Sequence, residues 1–247
     1  MAKRTIDINC DVGEGVGNES DLFALISSCN IACGGHAGSI ETMRLCINFA
    51  KQFHVKIGAH PSYPDKENFG RVSMNISDED LISSINEQLN TFINECSSLN
   101  AKLHHIKPHG ALYNDIAKNT HLAEIFIKAI ASYKQKVILY VPYGSIIEEI
   151  AVRNGFVIKK EAFADRNYNS DLSLVSRTQE QALITSGKDV LNHLLLMFNE
   201  NLVQTINGEK KSIYADTFCV HGDTPSALQI LTYITEQLPN YNLQTKP

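Results

Sequence analysis

The sequence predicts an α/β fold, a single TIM-like (β/α) barrel with seven strands. Short runs rich in β-branched residues alternate with amphipathic stretches along all 247 residues, and this alternation is typical of parallel strands joined by helices. Polar residues also follow nearly every predicted strand. An open sheet lines a site only where its strand order reverses, whereas a barrel brings every strand end to one mouth. We therefore expect residues 1–247 to form one barrel domain.

The predicted strands are short apolar runs that end in polar residues or glycine. In chain order they are Thr5–Asn9, Ser28–Ala32, Val55–Ala59, Leu103–Lys107, Val137–Val141, Phe156–Glu161 and Thr217–His221. Six helices are predicted between and after these strands, at 40–53, 78–98, 120–132, 145–154, 178–198 and 225–237.

Apolar spacing and capping residues support the helix predictions. In the stretch 78–98, Leu81, Ile85 and Leu89 recur every four residues and share one helix face. Residue pairs that resemble capping boxes stand at the start of three helices: Ser77 with Asp80, Ser145 with Glu148, and Thr178 with Gln181. Thr224 followed by Pro225 offers an N-cap residue and a proline at the first helical position.

Composition and charge exclude several classes of protein. With 43% hydrophobic and 20% charged residues, the chain is globular in composition, neither disordered nor collagen-like. No apolar run is long enough for a membrane span and no secretory signal is visible, so we expect a cytoplasmic protein. A net charge of −5, with basic residues scattered along the sequence, argues against nucleic acid as a partner. The six cysteines lack the paired spacing of a zinc site and are expected to be reduced and mostly buried.

The first two predicted loops carry ionisable residues among glycines. Asp11 and Glu14 follow the first strand, and His36 lies in the segment NIACGGHAG after the second. Carboxylates in such a position suit acid–base or metal chemistry, and glycines let a ligand approach the backbone closely. A polar turn would explain each motif taken alone.

Further ionisable residues follow the later strands. They are His60, Arg71, Lys107, His109, Glu161, Asp165, Arg166, His221 and Asp223. Asp165 and Arg166 alone would be explained by a surface ion pair. Ionisable side chains at successive strand ends of one barrel usually mark catalysis, so we favour an active site. The sequence contains no P-loop, no GxSxG elbow and no HExxH motif.

Six segments resemble motifs of the LamB/YcsF family. They read DINCDVGEG, NIACGGHAG, GAHPSYPD with FGR after it, KPHGALYN, FADRNY and CVHGDTP, in this order from Asp7 to Pro225. The resemblance implies a glycoside hydrolase/deacetylase-like barrel, which agrees with the fold predicted above. It also implies the A-subunit role in an ATP-dependent 5-oxoprolinase, which hydrolyses 5-oxoproline to glutamate with hydrolysis of ATP and needs partner subunits B and C.

A looser similarity connects the sequence to metal-dependent deacetylase-like barrels. Those carry an Asp after the first strand and histidines after later strands on a metal ion, and the matching positions here are Asp11, His60 and His109. This similarity implies a site suited to Zn²⁺ or another divalent ion, and the sequence leaves open whether a metal is bound. It also leaves open whether ATP binds this chain or one of the partners.

Lactam hydrolysis needs a base for water, a positive group for the developing oxyanion and a clamp for the substrate carboxylate. We expect the catalytic set to be Asp11 or Asp165 as base, Lys107 as positive group, and His60 and His109 beside water or metal, with Arg71 or Arg166 as the clamp. Glu14, His36, Glu161, His221 and Asp223 complete the expected substrate-binding set. We also expect Lys107, as a mouth residue, to contribute little to stability.

Two other functions remain open at this point. One is a metal-dependent amide or carbohydrate deacetylase on the same barrel, working without ATP. The other is a non-catalytic scaffold for the partner subunits.

Overall fold

The protein is described by a computed structural model that covers residues 3–16, 19–224 and 226–245. The strands are β1 (Arg4–Ile6), β2 (Ile8–Val12), β3 (Ser28–Ala32), β4 (Lys56–His60), β5 (Leu103–Ile106), β6 (Ile138–Pro142), β7 (Val157–Phe163), β8 (Leu202–Gln204), β9 (Lys210–Ser212), β10 (Thr217–Cys219) and β11 (Leu243–Thr245). The helices are α1 (Glu19–Leu22), α2 (Ile40–Gln52), α3 (Asp78–Ser98), α4 (Gly110–Ile116), α5 (Thr120–Ala129), α6 (Ile146–Arg153), α7 (Gly187–Glu200) and α8 (Ala227–Gln237).

Seven of these strands close into a parallel barrel. Their order is β10, β2, β3, β4, β5, β6 and β7, and pairing of β7 with β10 completes the ring. The predicted seven-stranded TIM-like barrel is confirmed. Two small sheets lie outside the ring, one of β1 with β11 and one of β8 with β9.

The first predicted strand is wrong in its limits. The segment Thr5–Asn9 is divided between β1 and β2, and the barrel strand β2 continues to Val12. β1 pairs instead with the last strand of the chain, where Thr5 lies opposite Gln244. Because the local sequence carries no sign of that distant partner, the division is invisible before folding.

All six predicted helices are present, but the start is wrong for one of them and the predicted N-cap is wrong for another. Ser77 and Ser145 cap α3 and α6 as predicted, each accepting a hydrogen bond from a backbone N–H three residues on. The helix predicted from Thr178 is wrong at its start, because α7 begins only at Gly187 and the preceding residues form an irregular loop. Thr224 does not cap α8, since its hydroxyl donates to Asp165 instead; Pro225 lies outside the described residues.

The interior of the barrel is polar, and the apolar core lies between the barrel and its helices. Along β2, Ile8 and Cys10 belong to the apolar core, whereas the buried side chains of Asn9 and Asp11 are tied together inside the barrel. The amide of Asn30 on β3 donates to both, at 2.8 Å to Asn9 Oδ1 and 2.7 Å to Asp11 Oδ1. Hydrogen bonds offset the cost of burying polar groups, so this network fixes the side chains beneath the mouth.

Two composition-based expectations can be compared with the structure. Among the described residues, no helix is both long and apolar enough to cross a membrane. All six cysteines are buried and unpaired, as predicted.

Candidate active site

A cavity of about 460 Å³ opens at the carboxyl ends of the barrel strands. Nine of the predicted site residues line it: Asp11, Glu14, His60, Arg71, Lys107, His109, Arg166, His221 and Asp223. The other three, His36, Glu161 and Asp165, lie behind the lining and contact it through Glu14, Lys107 and His221 respectively. The structure therefore brings the whole predicted set to one place.

Lys107 forms the floor of this cavity. Its Nζ lies 3.0 Å from Asp11 Oδ1 and 2.9 Å from Glu161 Oε1, and it is also 3.1 Å from Cys219 Sγ. Burial alone would lower the pKa of Lys107, but Asp11, Cys219 and Glu161 raise it well above its usual value. The side chain is a permanent cation.

The burial of Lys107 argues against the expectation that it contributes little to stability. Lys107 is among the largest fully buried side chains of the protein, and its charge neutralises two buried carboxylates. Removing one partner of a buried ion pair is strongly destabilising. The residue therefore supports the fold as well as the cavity.

Tyr113 extends the charged cluster on the other side of Glu161. It lies on α4, and its hydroxyl donates to Glu161 Oε2 at 2.6 Å. Burial, followed by the charge of Glu161, raises the pKa of Tyr113 well above its usual value. Tyr113 therefore remains a hydrogen-bond donor, and it also lines the cavity.

His60 and His109 face each other through the ring nitrogens that do not contact a backbone carbonyl. His60 Nδ1 donates to the carbonyl of Lys107 at 2.8 Å, and His109 Nε2 donates to the carbonyl of Phe69 at 2.9 Å. A carbonyl only accepts, so in the neutral rings the lone pairs are on His60 Nε2 and His109 Nδ1, which are 3.0 Å apart. Two lone pairs at this distance require a cation between or beside them, either a proton or a metal ion.

Carboxylates approach the same two nitrogens. Asp11 Oδ2 lies 3.4 Å from His60 Nε2, and Glu14 Oε1 lies 3.3 Å from His109 Nδ1. Burial would raise the pKa of Asp11, yet His60 and Lys107 hold it well below its usual value. Burial and the charge of Asp11 raise the pKa of Glu14 well above its usual value. One carboxylate is thus ionised beside another that tends to keep its proton.

His36 lies behind Glu14 and His109 and contacts both. Its ring stacks on His109 with centroids 3.6 Å apart, and its Nε2 lies 3.0 Å from Glu14 Oε1. Burial and the neighbouring His60 lower the pKa of His36 to about 2. A neutral His36 orients Glu14 without adding charge.

The residues Asp11, His60 and His109 fit a divalent metal ion. One ligand atom from each lies within 4.8 Å of the others. Each histidine also directs its far nitrogen to a backbone carbonyl, which is the usual way in which metal-binding histidines are oriented. The facing lone pairs are an independent sign that a cation belongs there.

A second Asp–His pair, Asp165 with His221, lies close to Asp11, since one ligand atom each from Asp11, Cys219 and His221 lies within 4.8 Å of the others. Asp165 is fully buried, and its carboxylate accepts from the ring Nδ1 and the backbone N–H of His221, both at 2.9 Å. Burial opposes ionisation, but His221 and the hydroxyl of Thr224 lower the pKa of Asp165 to about 2. An ionised carboxylate only accepts, so Nδ1 of His221 is the donor to Asp165 and, in the neutral ring, Nε2 is the acceptor.

Arginines form the rim of the cavity. Arg71 and Arg177 reach one carboxylate, that of Asp223, from two different loops. Burial would raise the pKa of Asp223, but Arg177, His221 and Arg71 lower it. Arg166, the third arginine of the lining, donates from Nη2 to the carbonyl of Val175 at 2.6 Å and so anchors the loop that carries Arg177. Asp165 and Arg166 are neighbours in sequence but not an ion pair.

Two glycines allow the loops around His109 to meet. Gly110 has a φ of +56°, and a Cβ there would lie 2.5 Å from the carbonyl oxygen of Gly70. The N–H of Ala111 donates to the same oxygen at 2.9 Å. This close contact brings the carbonyl of Phe69 to His109, so the glycines fix the tautomer of the histidine.

Comparison with known proteins identifies the family. Residues 6–247 match the LamB/YcsF family. The chain belongs to the LamB/YcsF family. The A subunit of 5-oxoprolinase from Neisseria meningitidis serogroup C (strain 053442) is 39% identical over 235 residues, which cover 95% of this chain and 96% of that protein. The protein of the same name from Bacillus cereus (strain B4264) is 40% identical over 232 residues, 92% of each chain. The crystal structure of the lactam utilization protein from Thermus thermophilus superimposes with a TM-score of 0.90 at 30% identity, covering 98% of this chain and 99% of that one.

In this LamB/YcsF protein, the structure adds four residues that sequence reasoning missed. They are Asn9, Asn30, Tyr113 and Arg177. Three of them lie inside quoted motifs, Asn9 in DINCDVGEG, Asn30 in NIACGGHAG and Tyr113 in KPHGALYN, but their residue types alone did not mark them as site residues. Arg177 lies in the irregular loop before α7, where no local pattern marks it.

Proposed function

We propose that this chain is the A subunit of an ATP-dependent 5-oxoprolinase, and that its mouth cavity opens 5-oxoproline to L-glutamate. The observation that carries the proposal is the convergence of a buried ammonium, an Asp–His pair and three guanidinium groups on one cavity. The names of its relatives supply the substrate, and the cavity offers the groups that such a substrate needs. Partner subunits B and C complete the proposed enzyme.

The proposed reaction couples an uphill ring opening to ATP. The γ-phosphoryl group of ATP is transferred to the lactam oxygen, which releases ADP and makes the ring carbon a good electrophile. Water adds to that carbon, the ring C–N bond breaks, and the nitrogen takes a proton. A second water releases phosphate from the resulting acyl phosphate and leaves glutamate. We propose that ATP is bound with the contribution of the partner subunits.

The proposed acid–base group is His221, which Asp165 orients. The acceptor Nε2 of His221 is on the cavity side, because Nδ1 is held by the carboxylate. An imidazole held in this way can take a proton from water and return it to the leaving nitrogen. Asp165 is buried behind the ring, so we assign it a positioning role, and Asp11 remains the second candidate for the base.

The positive groups divide into a floor and a rim. Lys107 on the floor supplies a fixed charge near the reacting oxygen, where preorganised donors favour developing negative charge. Arg71 and Arg177 on the rim suit the free carboxylate of the substrate, which planar guanidinium groups bind in a bidentate manner. Asp223 occupies these arginines in the structure and would have to share them with the substrate.

A divalent ion is a proposed component of the same cavity. Asp11, His60 and His109 would hold it, and it would polarise a bound oxygen or lower the pKa of a bound water. The chain's own groups keep their roles in either case, since Lys107 and the Asp165–His221 pair do not depend on that ion for their positions.

The experiment for this proposal measures glutamate and ADP released from 5-oxoproline and ATP. The purified chain is assayed alone, with each of subunits B and C, and with both. We expect little or no turnover by the chain alone and ATP-coupled turnover when both partners are present, because the sequence contains no nucleotide motif. Full ATP-coupled turnover by the chain alone would contradict the assigned division of labour.

The metal-compatible triad favours one second candidate, a metal-dependent amide or carbohydrate deacetylase. This candidate would need no ATP and no partner. Acetate or amine release by the metal-loaded chain alone, with ATP absent, would support it. Metal-independent turnover that requires ATP would rule it out.

A further inference from the structure

A groove of about 680 Å³ lies at the opposite end of the barrel from the mouth. It includes the first residues of four adjacent barrel strands: Lys56, Leu103, Ile138 and Val157, which begin β4 to β7. None of the described residues that line this groove also lines the mouth cavity.

The groove is strongly basic. Lys51, Lys56, Lys102 and Lys136 line it together with two histidines, and among the described residues no Asp or Glu belongs to the lining. The whole chain has an excess of acidic residues, 27 against 22 Lys and Arg, so this concentration of one sign is local. The lysines come from three separate segments, around residues 51–56, 102 and 136, which is why they look scattered in the sequence.

Two of these lysines have neither an ion-pair nor a hydrogen-bond partner for the ammonium group among the described residues. Lys102 and Lys136 are exposed, and within the described parts of the chain neither has an acidic group at ion-pair distance. By contrast, Lys56 lies 4.0 Å from the carboxylate of Asp7, and the ammonium group of Lys51 donates to the carbonyl of Leu99. Lys102 and Lys136 are thus the strongest attraction that the groove offers to an anion.

Between the lysines the floor is apolar and partly open to solvent. Leu103 and Ile138 are half-buried, and Val157 is 55% exposed although it begins a barrel strand. Phe53, next to His54 of the lining, is also exposed. An apolar centre with a charged rim is the usual anatomy of a protein interface, whereas a phosphate site collects backbone N–H donors at one point.

We infer that this groove is the docking surface for an acidic segment of a partner subunit, with apolar side chains on the floor and carboxylates at the lysines. The inference rests on the proposed function only for the existence of partner subunits. Docking at this end would leave the catalytic mouth accessible to a small substrate. Complementary charge would also accelerate association in a salt-dependent way.

The test uses the double variant Lys102→Glu, Lys136→Glu in the full chain. Its matched control is Lys188→Glu, Lys210→Glu, which makes the same change in net charge at two exposed lysines outside the groove. Binding to subunits B and C is measured by analytical ultracentrifugation or surface plasmon resonance at several salt concentrations. We expect the groove variant to lose affinity about tenfold or more and to show a weaker salt dependence, and the control to bind like wild type.

The other outcomes separate the possible failures. Equal affinity of wild type and groove variant for the partner overturns the inference and leaves the proposed function standing. If the wild type associates with neither partner, both the docking inference and the proposed function are overturned. Binding of ATP or inorganic triphosphate that only the groove variant loses, with partner affinity unchanged, would assign the groove to a small anion and also overturn the inference.

Discussion

Replacement of Lys107 by methionine keeps most of the side-chain length and removes the buried charge. In the wild type, Nζ lies 3.0 Å from Asp11 Oδ1 and 2.9 Å from Glu161 Oε1, and all three side chains are almost fully buried. Loss of one partner from a buried ion pair costs about 3–5 kcal/mol, since the remaining charge is left uncompensated. Each 1 kcal/mol corresponds to about 2–4 °C in a chain of this length, so we expect Tm to fall by roughly 6–20 °C.

The same variant should also lose activity. Removing one preorganised donor from the site of a developing oxyanion typically lowers kcat about 10²–10³-fold. The two effects can be separated with the double variant Lys107→Met, Glu161→Gln, in which one of the stranded carboxylates is neutral. That double variant should recover part of the lost Tm and none of the lost kcat.

Thermal unfolding followed by circular dichroism gives Tm, and glutamate release by the assembled complex gives kcat. A Tm within about 2 °C of wild type would refute the buried ion-pair argument, because the expected loss is several times larger. A kcat within a few-fold of wild type, in a complex shown to be assembled, would refute the assigned role in the reaction.

Three further predictions concern the pH dependence, the metal and a glycine. The variant Asp165→Asn should lower the free energy of unfolding by about 2 kcal/mol at neutral pH, because the pKa of Asp165 is lowered from 3.8 to about 2. This stabilisation is complete above the ordinary pKa and is lost as pH falls through about 2, so a Tm difference that stays constant down to acid pH would contradict it. Zn²⁺ added to the chelator-treated chain at a hundred times its Kd should raise Tm by roughly 5–10 °C. His109→Gln should abolish that shift, and a shift that survives would place the ion elsewhere. The variant Gly110→Ala should lower the free energy of unfolding by about 2–4 kcal/mol, since the new Cβ would lie 2.5 Å from the carbonyl oxygen of Gly70. The control is Gly144→Ala, because Gly144 has a similar φ and no atom lies within 4 Å of the new Cβ. This control should lose less unfolding free energy, and equal losses in the two variants would show that the contact with Gly70 does not matter.

The barrel and most of the mouth were predictable because their signals are local. The barrel strands begin in short runs that contain apolar residues, and most of the predicted site residues stand at or just after a strand end, where parallel strands in a barrel converge. His60 and His221 could therefore be placed at the mouth without knowledge of any contact. The pairing of strands was needed only to know which of them are neighbours.

The remaining features depend on tertiary contacts that the local sequence does not encode. The helix predicted from Thr178 begins later because Arg166 holds the carbonyls of Val175 and Ala182 and so keeps the loop irregular. Lys107 was expected at the mouth but not as a core residue, since its two carboxylate partners are far away in sequence. The basic groove could not be predicted either, because its lysines come from segments that are distant in sequence.

We propose that the mouth cavity performs the reaction, and the variant His221→Asn separates this proposal from a purely structural role. The measurement is kcat for glutamate release by the complex of this chain with subunits B and C, with assembly verified by size-exclusion chromatography. The matched control is His121→Asn, an exposed histidine that pairs with Asp78. Because a positioned general base contributes about 10²–10⁴-fold, we expect kcat to fall at least about 100-fold for His221→Asn and to stay unchanged for the control. A fully assembled His221→Asn complex with a kcat within a few-fold of wild type would contradict the catalytic role of the cavity and would favour a scaffold role for this chain.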